Sequence, residues 1–138
     1  MKDSCIKYRK GYKYQLVEDY HTKTKITGYD IDTEFIKLDP IGNLLIKHNY
    51  VWDGCSGPAW DDRTNMRGGL GHDAKYQLMR MGLLLPECRK IADEELKQDC
   101  LDDKMNKLRA WWYLEGVDHF AEFAAKYGSD PYPILTAP

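Results

Sequence analysis

The sequence predicts an α+β fold, an antiparallel β-meander followed by about three α-helices. Three observations carry this. Residues 8–52 are rich in Tyr, Ile, Val and Thr and are interrupted at Gly11, Gly28, Pro40 and Gly42, the texture of short strands and turns. From Met66 onward, residues recur at three-to-four spacing, the period of a helix with one buried face. Between the two lies residues 53–65, where Gly54, Gly57, Pro58 and several aspartates mark an irregular loop. The 138 residues read as one domain, long enough for its own core. It divides into the meander (8–52), the loop (53–65), a helical part (66–127) and an extended tail (128–138).

Each element has its own signal. Tyr12-Lys13-Tyr14-Gln15-Leu16-Val17 begins with the alternation of a half-buried strand. Thr33–Leu38 and Asn43–His48 read as two further strands. Asp39-Pro40-Ile41-Gly42-Asn43 between them is a tight turn, because proline presets one backbone angle and glycine supplies a positive one. A loop as long as 53–65 without regular structure is unusual in a small domain, and such loops tend to carry function. Leu70, Asp73, Ala74, Gln77, Leu78 and Met81 form the stripe of the first helix, which Gly82 can end. Pro86 suits the first turn of a second helix running to about Leu101. A third, from about Asp103 to Tyr127, has an apolar stripe that includes Leu108, Trp112, Phe120 and Ala124, with Gly116 inside it.

Composition narrows the classes of function. A net charge of -2 offers no overall basic field to attract nucleic acid. No apolar run reaches the roughly 18 residues of a membrane span, and the Met1–Lys7 start lacks a signal peptide's apolar core. The four cysteines form no CxxC pair and no zinc spacing with histidine. A protein with reduced thiols in the cytoplasm is the expectation.

The chemistry centres on His72, Asp73 and Asp93. A histidine titrates near neutrality and can take a proton from water, best when a carboxylate fixes its other ring nitrogen. Asp93 shares a helix stripe with Leu96 and Cys100, so it points inward. Two antiparallel helices with a short link would bring it to His72. Tyr76, one turn after His72, could hydrogen-bond Asp93. Asp73 follows His72 directly and points roughly 100° away around the helix. It could face the acidic loop and bind a hard cation such as calcium, with loop carbonyls and Asp53 as further oxygen ligands.

His72-Asp73-x-x-Tyr76 followed by Ala92-Asp93 resembles the active-site signature of phospholipase A2 enzymes, especially the bacterial and parvoviral forms. The resemblance covers about residues 52–96. It implies that His72 activates water, Asp93 orients His72 and Asp73 binds calcium. The calcium loop would map onto Trp52–Gly57, with Asp53, Gly54 and Ser56 in the metal set. The implied substrate is a lipid or another ester. The cysteine pairs that flank this helix in the secreted enzymes are absent here. Over most of the chain, the order of meander, Gly/Asp/Ser/Pro loop, His-Asp-x-x-Tyr helix, Ala-Asp helix and aromatic-rich helix resembles the domain of unknown function 1353 family of phage and prophage proteins. Arg109-Ala110-Trp111-Trp112-Tyr113 fits the last element. That resemblance implies a phage protein, cytoplasmic in the infected host cell or virion-associated.

Other readings stand beside this one. A non-catalytic phage accessory protein would use the helix pair as scaffold and Trp111, Trp112 and Tyr113 as a surface for a host or virion protein. Three consecutive aromatics on a helix span about 200°, so at least one leaves the core. A metal phosphohydrolase would need His21 or His48 beside His72, and a thiol mechanism would pair Cys55 with His72.

Overall fold

The computed structural model describes residues 6–8, 14–52, 63–111 and 135–137. The architecture is α+β, antiparallel strands in the N-terminal half followed by helices. The strands are β1 (Ile6–Tyr8), β2 (Tyr14–Gln15), β3 (Tyr20–Lys23), β4 (Ile31–Asp32), β5 (Ile36–Leu38), β6 (Asn43–Ile46), β7 (Val51–Trp52) and β8 (Leu135–Ala137). The helices are α1 (Met66–Arg80) and α2 (Cys88–Asp102), and a third, α3, occupies residues 107–111 at the edge of the described segment.

The central sheet has the order β3-β6-β5-β4, all antiparallel. β4, β5 and β6 form a meander; β3 departs from it by pairing with β6 on the far side. Alternation decides which face is buried: Ile36, Leu38, Leu44 and Ile46 point into the core, whereas Lys37 and Asn43 point to water. The turn between β5 and β6 falls where Asp39–Asn43 predicts it. The Asp39 carboxylate accepts from the backbone N–H groups of Ile41 (3.1 Å) and Asn43 (2.8 Å) and from Asn43 Nδ2 (2.7 Å). These donors hold its pKa below the usual aspartate value, Asn43 contributing most. Gly42 has φ +94°, and a side chain there would collide with the Thr24 carbonyl.

β2 and β7 pair separately, Tyr14 with Trp52 and Gln15 with Val51. Between β6 and β7 the chain reverses through Asn49 at φ 74°, with Tyr50 N–H donating to the Lys47 carbonyl at 3.2 Å. His48 therefore lies past the end of its expected strand. β1 and β8 pair antiparallel, Ile6 opposite Ala137, so part of the expected extended tail is a strand.

α1 ends as its sequence requires. Gly82 takes φ +75° and donates to the Met79 carbonyl, and Leu83 N–H reaches back to the Leu78 carbonyl. Met81, expected on the buried stripe, is instead 47% exposed, because it caps the helix and the chain turns away there. Pro86 and Glu87 form a turn that precedes α2. α2 stops at Lys104, φ 75°, and the Asn106 side chain then caps α3 by accepting from the N–H groups of Leu108 (2.9 Å) and Arg109 (3.4 Å). That cap sets the rotation of α3. Met105 and Ala110 are buried, while Leu108 (74% exposed) and Trp111 (53%) face water. Leu108 thus leaves the core stripe expected of it. Trp112, Tyr113, Gly116, Phe120 and Ala124 lie outside the described residues.

The helices pack antiparallel through small residues. A Cβ at Gly68 would stand 3.1 Å from Leu96 Cδ1 and 3.3 Å from the Leu96 carbonyl oxygen, so any larger side chain would require α2 to give by a few tenths of an ångström. Polar links fasten the helices to the sheet. Arg67 bonds Asp103 (3.0 Å), Asp99 (3.3 Å) and the Tyr20 hydroxyl (3.1 Å). Those partners push the Arg67 pKa upward, while burial raises that of Asp99 in spite of Arg67. Among the described residues no helix is long and apolar enough to cross a membrane.

Candidate functional site

The spacing of α1 places His72, Lys75, Tyr76 and Met79 on one face, at i, i+3, i+4 and i+7. All four are buried. Asp93 comes up from α2 in the same layer, with Leu96 and Cys100 along its own stripe, and is 2% exposed. The antiparallel pairing of α1 and α2 thereby brings the expected carboxylate to the expected histidine.

The contacts are short. His72 Nε2 lies 2.7 Å from Asp93 Oδ1. The Tyr76 hydroxyl donates to the same oxygen at 2.6 Å, and the His72 and Tyr76 rings stack with centroids 4.2 Å apart. An ionised carboxylate only accepts, so it selects the imidazole tautomer with its proton on Nε2. Nδ1 then carries the lone pair, and no described residue hydrogen-bonds it. This is the arrangement of an oriented base: one nitrogen held by a carboxylate, the other able to accept a proton.

Asp73 points elsewhere, as one step along a helix requires. Its Oδ2 accepts a hydrogen bond of 2.6 Å from the Tyr50 hydroxyl, on the turn that leads into β7. Gln77 Oε1 lies 3.1 Å from the same hydroxyl. A phenol has one proton, and the shorter, charge-assisted contact to Asp73 takes it; rotation of the Gln77 amide would let its NH2 donate to the phenol oxygen. Asp73 is half-buried. Asp53, Gly54, Cys55 and Ser56, expected to complete a metal set or to supply a thiol, lie outside the described residues.

Two features of the site had no part in the sequence reading. Lys75 is buried, its ammonium donating to Glu95 Oε2 at 3.1 Å, while Glu95 Oε1 accepts from Thr24 Oγ1 (2.6 Å) and the Lys25 N–H (3.1 Å). The i, i+3 relation to His72 was the available signal. Tyr50 was the other, and nothing local marks a turn tyrosine as the partner of a helix carboxylate 23 positions away.

The remaining histidines belong to other surroundings. His48 Nδ1 sits 2.8 Å from Asp19 Oδ1 on the surface. His21 lines a groove of about 360 Å³ on the outer face of the sheet with Lys37, Asp39 and Leu45. Neither shares a described hydrogen bond with the His72 cluster. No family model matches the chain, and no curated protein or solved structure is similar enough to it to be matched.

Proposed function

We propose that this protein is a small hydrolase of phospholipase A2-like chemistry, acting on an ester with a phospholipid as the implied substrate. The observation that supports it is the buried His72–Asp93–Tyr76 cluster, with Nε2 committed to a carboxylate. His72 Nδ1 takes a proton from water as the water oxygen attacks the ester carbonyl carbon. The acyl C–O bond breaks, and the proton passes to the leaving alkoxide, giving a carboxylic acid and an alcohol. Asp93 holds the imidazole in the required tautomer and offsets the charge it gains. Tyr76 fixes the Asp93 carboxylate through its own hydrogen bond and stacks on the ring it serves.

Calcium is the ion this reading implies, and of its expected ligands only Asp73 lies among the described residues, a half-buried carboxylate that accepts from the Tyr50 hydroxyl. Asp73 would hold the ion together with Asp53, Gly54 and Ser56. When bound, calcium would supply Lewis-acid polarisation of the ester carbonyl.

A second reading has its own support. His72 and Asp93 are 3% and 2% exposed, which suits a structural hydrogen-bond layer in a phage accessory protein that binds a host or virion protein through Trp111 and its neighbours. One experiment separates the two. Wild type and His72→Ala are assayed for fatty-acid release from phospholipid vesicles and for hydrolysis of a soluble ester, with circular dichroism alongside. The hydrolase reading expects turnover by wild type and a loss of roughly 10²–10⁴-fold in the variant with its helicity retained. Absence of turnover by wild type, with His72→Ala mainly lowering the melting temperature, favours the scaffold. Calcium calorimetry on wild type and Asp73→Asn tests the ion: no binding by wild type removes calcium from the model, and binding retained in Asp73→Asn moves the site off α1.

A further inference from the structure

We infer that the tip of the α1–α2 hairpin, Met81 to Pro86 with Arg80, Arg89 and Lys90 beside it, is a docking surface for a bilayer of anionic phospholipid. The surface is separate from the His72 cluster: Met81 is nine residues past His72, roughly 14 Å along α1. Docking there does not require His72 to be catalytic.

Eight large apolar side chains are exposed among the described residues, and three of them, Met81 (47%), Leu83 (40%) and Leu85 (59%), fall within residues 81–85. Val17 and Ile41, by contrast, stand singly, as surface apolar residues normally do. The tip is also held in shape. Leu84, between the two exposed leucines, is buried and pegs the turn to the core. The N–H groups of Leu83 and Leu84 both donate to the Leu78 carbonyl, at 2.9 and 3.2 Å, while Gly82 N–H donates to the Met79 carbonyl and Met81 N–H to that of Gln77. Pro86 has no N–H to satisfy. A turn whose donors are already bonded loses little on leaving water. That suits a lipid phase, which offers the backbone no hydrogen bonds of its own.

Charge decides the kind of lipid. Residues 80–90 carry Arg80, Arg89 and Lys90 against Glu87, net +2 on a chain of net -2. Lys90 is exposed and the two arginines are partly exposed. Long apolar stems let such charged heads stay at the headgroup phosphates while neighbouring leucines enter the acyl boundary. Each cation near an anionic surface strengthens binding about fivefold.

The test is sedimentation of the full chain with vesicles of phosphatidylcholine alone and of an equal mixture with phosphatidylglycerol, with thermal melts of every variant. Wild type is expected to bind the mixed vesicles and to favour them at least about tenfold, a preference that fades as salt screens the charges. Leu83→Ser combined with Leu85→Ser is expected to bind them at least about tenfold more weakly. Val17→Ser, at a site 86% exposed outside the tip, is expected to stay within about twofold of wild type. No binding of wild type to the mixed vesicles would overturn the inference and leave a protein as the occupant of the tip. Unchanged binding by the double variant, or an equal loss in Val17→Ser, would overturn it as well. If the double variant does not fold, Arg89→Gln combined with Lys90→Gln replaces it, and an unchanged preference for the mixed vesicles overturns the inference. Vesicle binding is read without turnover: binding by a wild type that hydrolyses no ester supports the inference and removes the hydrolase reading alone.

Discussion

At the scale of single residues, the site is defined by which donor meets which acceptor. His72 and Asp73 are neighbours in sequence, yet one is bonded by α2 and the other by the turn that leads into β7. Their separation was legible, because a helix turns roughly 100° per residue. The Asp93 partnership was legible as well, from its stripe with Leu96 and Cys100. Lys75 was not, because a lysine is expected at the surface and its partner comes from another helix. The consequence is measurable. Lys75 and Glu95 side chains are 4% and 17% exposed, so Lys75→Met leaves the Glu95 carboxylate without its cation. A loss of about 3 kcal/mol is expected, the lower end for a broken buried pair, because Thr24 and Lys25 still donate to Glu95. Urea denaturation of wild type and Lys75→Met would show it, and a change under about 1 kcal/mol would mean that the pair adds little.

At the scale of elements, α1 and α2 were well marked by periodicity and by Gly82, and their ends fell close to expectation. α3 was not, since neither Lys104 in a left-handed conformation nor Asn106 as a cap stands out from the polar run around them. A cap moved by a few residues rotates every side chain after it, which is how Leu108 came to face water. The glycines of α1 make a sharper case. A Cβ on Gly68 would stand 3.1–3.3 Å from Leu96 and Asp99, whereas the nearest atom to a Cβ on Gly71 would be Lys75 Nζ at 3.9 Å. Alanine in a helix is favoured over glycine by about 1 kcal/mol, but overpacking costs about 1–3 kcal/mol. Gly68→Ala is therefore expected to destabilise, because a backbone carbonyl of α2 cannot step aside, and Gly71→Ala to stabilise by up to about 1 kcal/mol. Melting temperatures moving in the same direction for both would show that the close helix approach does not govern stability.

At the scale of the whole molecule, the α+β class followed from two periods in one chain, two for the strands and three-to-four for the helices. What did not follow was the arrangement of strands that are not neighbours in sequence. β3 joins β6 rather than β4, and β7 joins β2, because cross-strand pairing depends on partners far along the chain and alternation alone does not name them. β1 and β8 are the extreme case, three residues each at opposite ends of the described chain. Their two-stranded pairing is short and closes nearly the entire sequence, so it is expected to be the least stable ladder. Native-state hydrogen exchange should find amides of residues 6–8 exchanging well before those of β5 and β6; equal protection would contradict this.

That same ladder sets an order of events. A ribosome releases Ile6–Tyr8 first, and their partners Leu135–Ala137 follow only after the rest of the described chain has been made. During that interval α1 and α2, separated by one short link, can already meet, since near contacts close with little entropy loss. The His72–Asp93 pair belongs to this early set. The strand made first is then among the last to find its place, and a nascent chain halted before residue 135 would hold the histidine pair without the ladder.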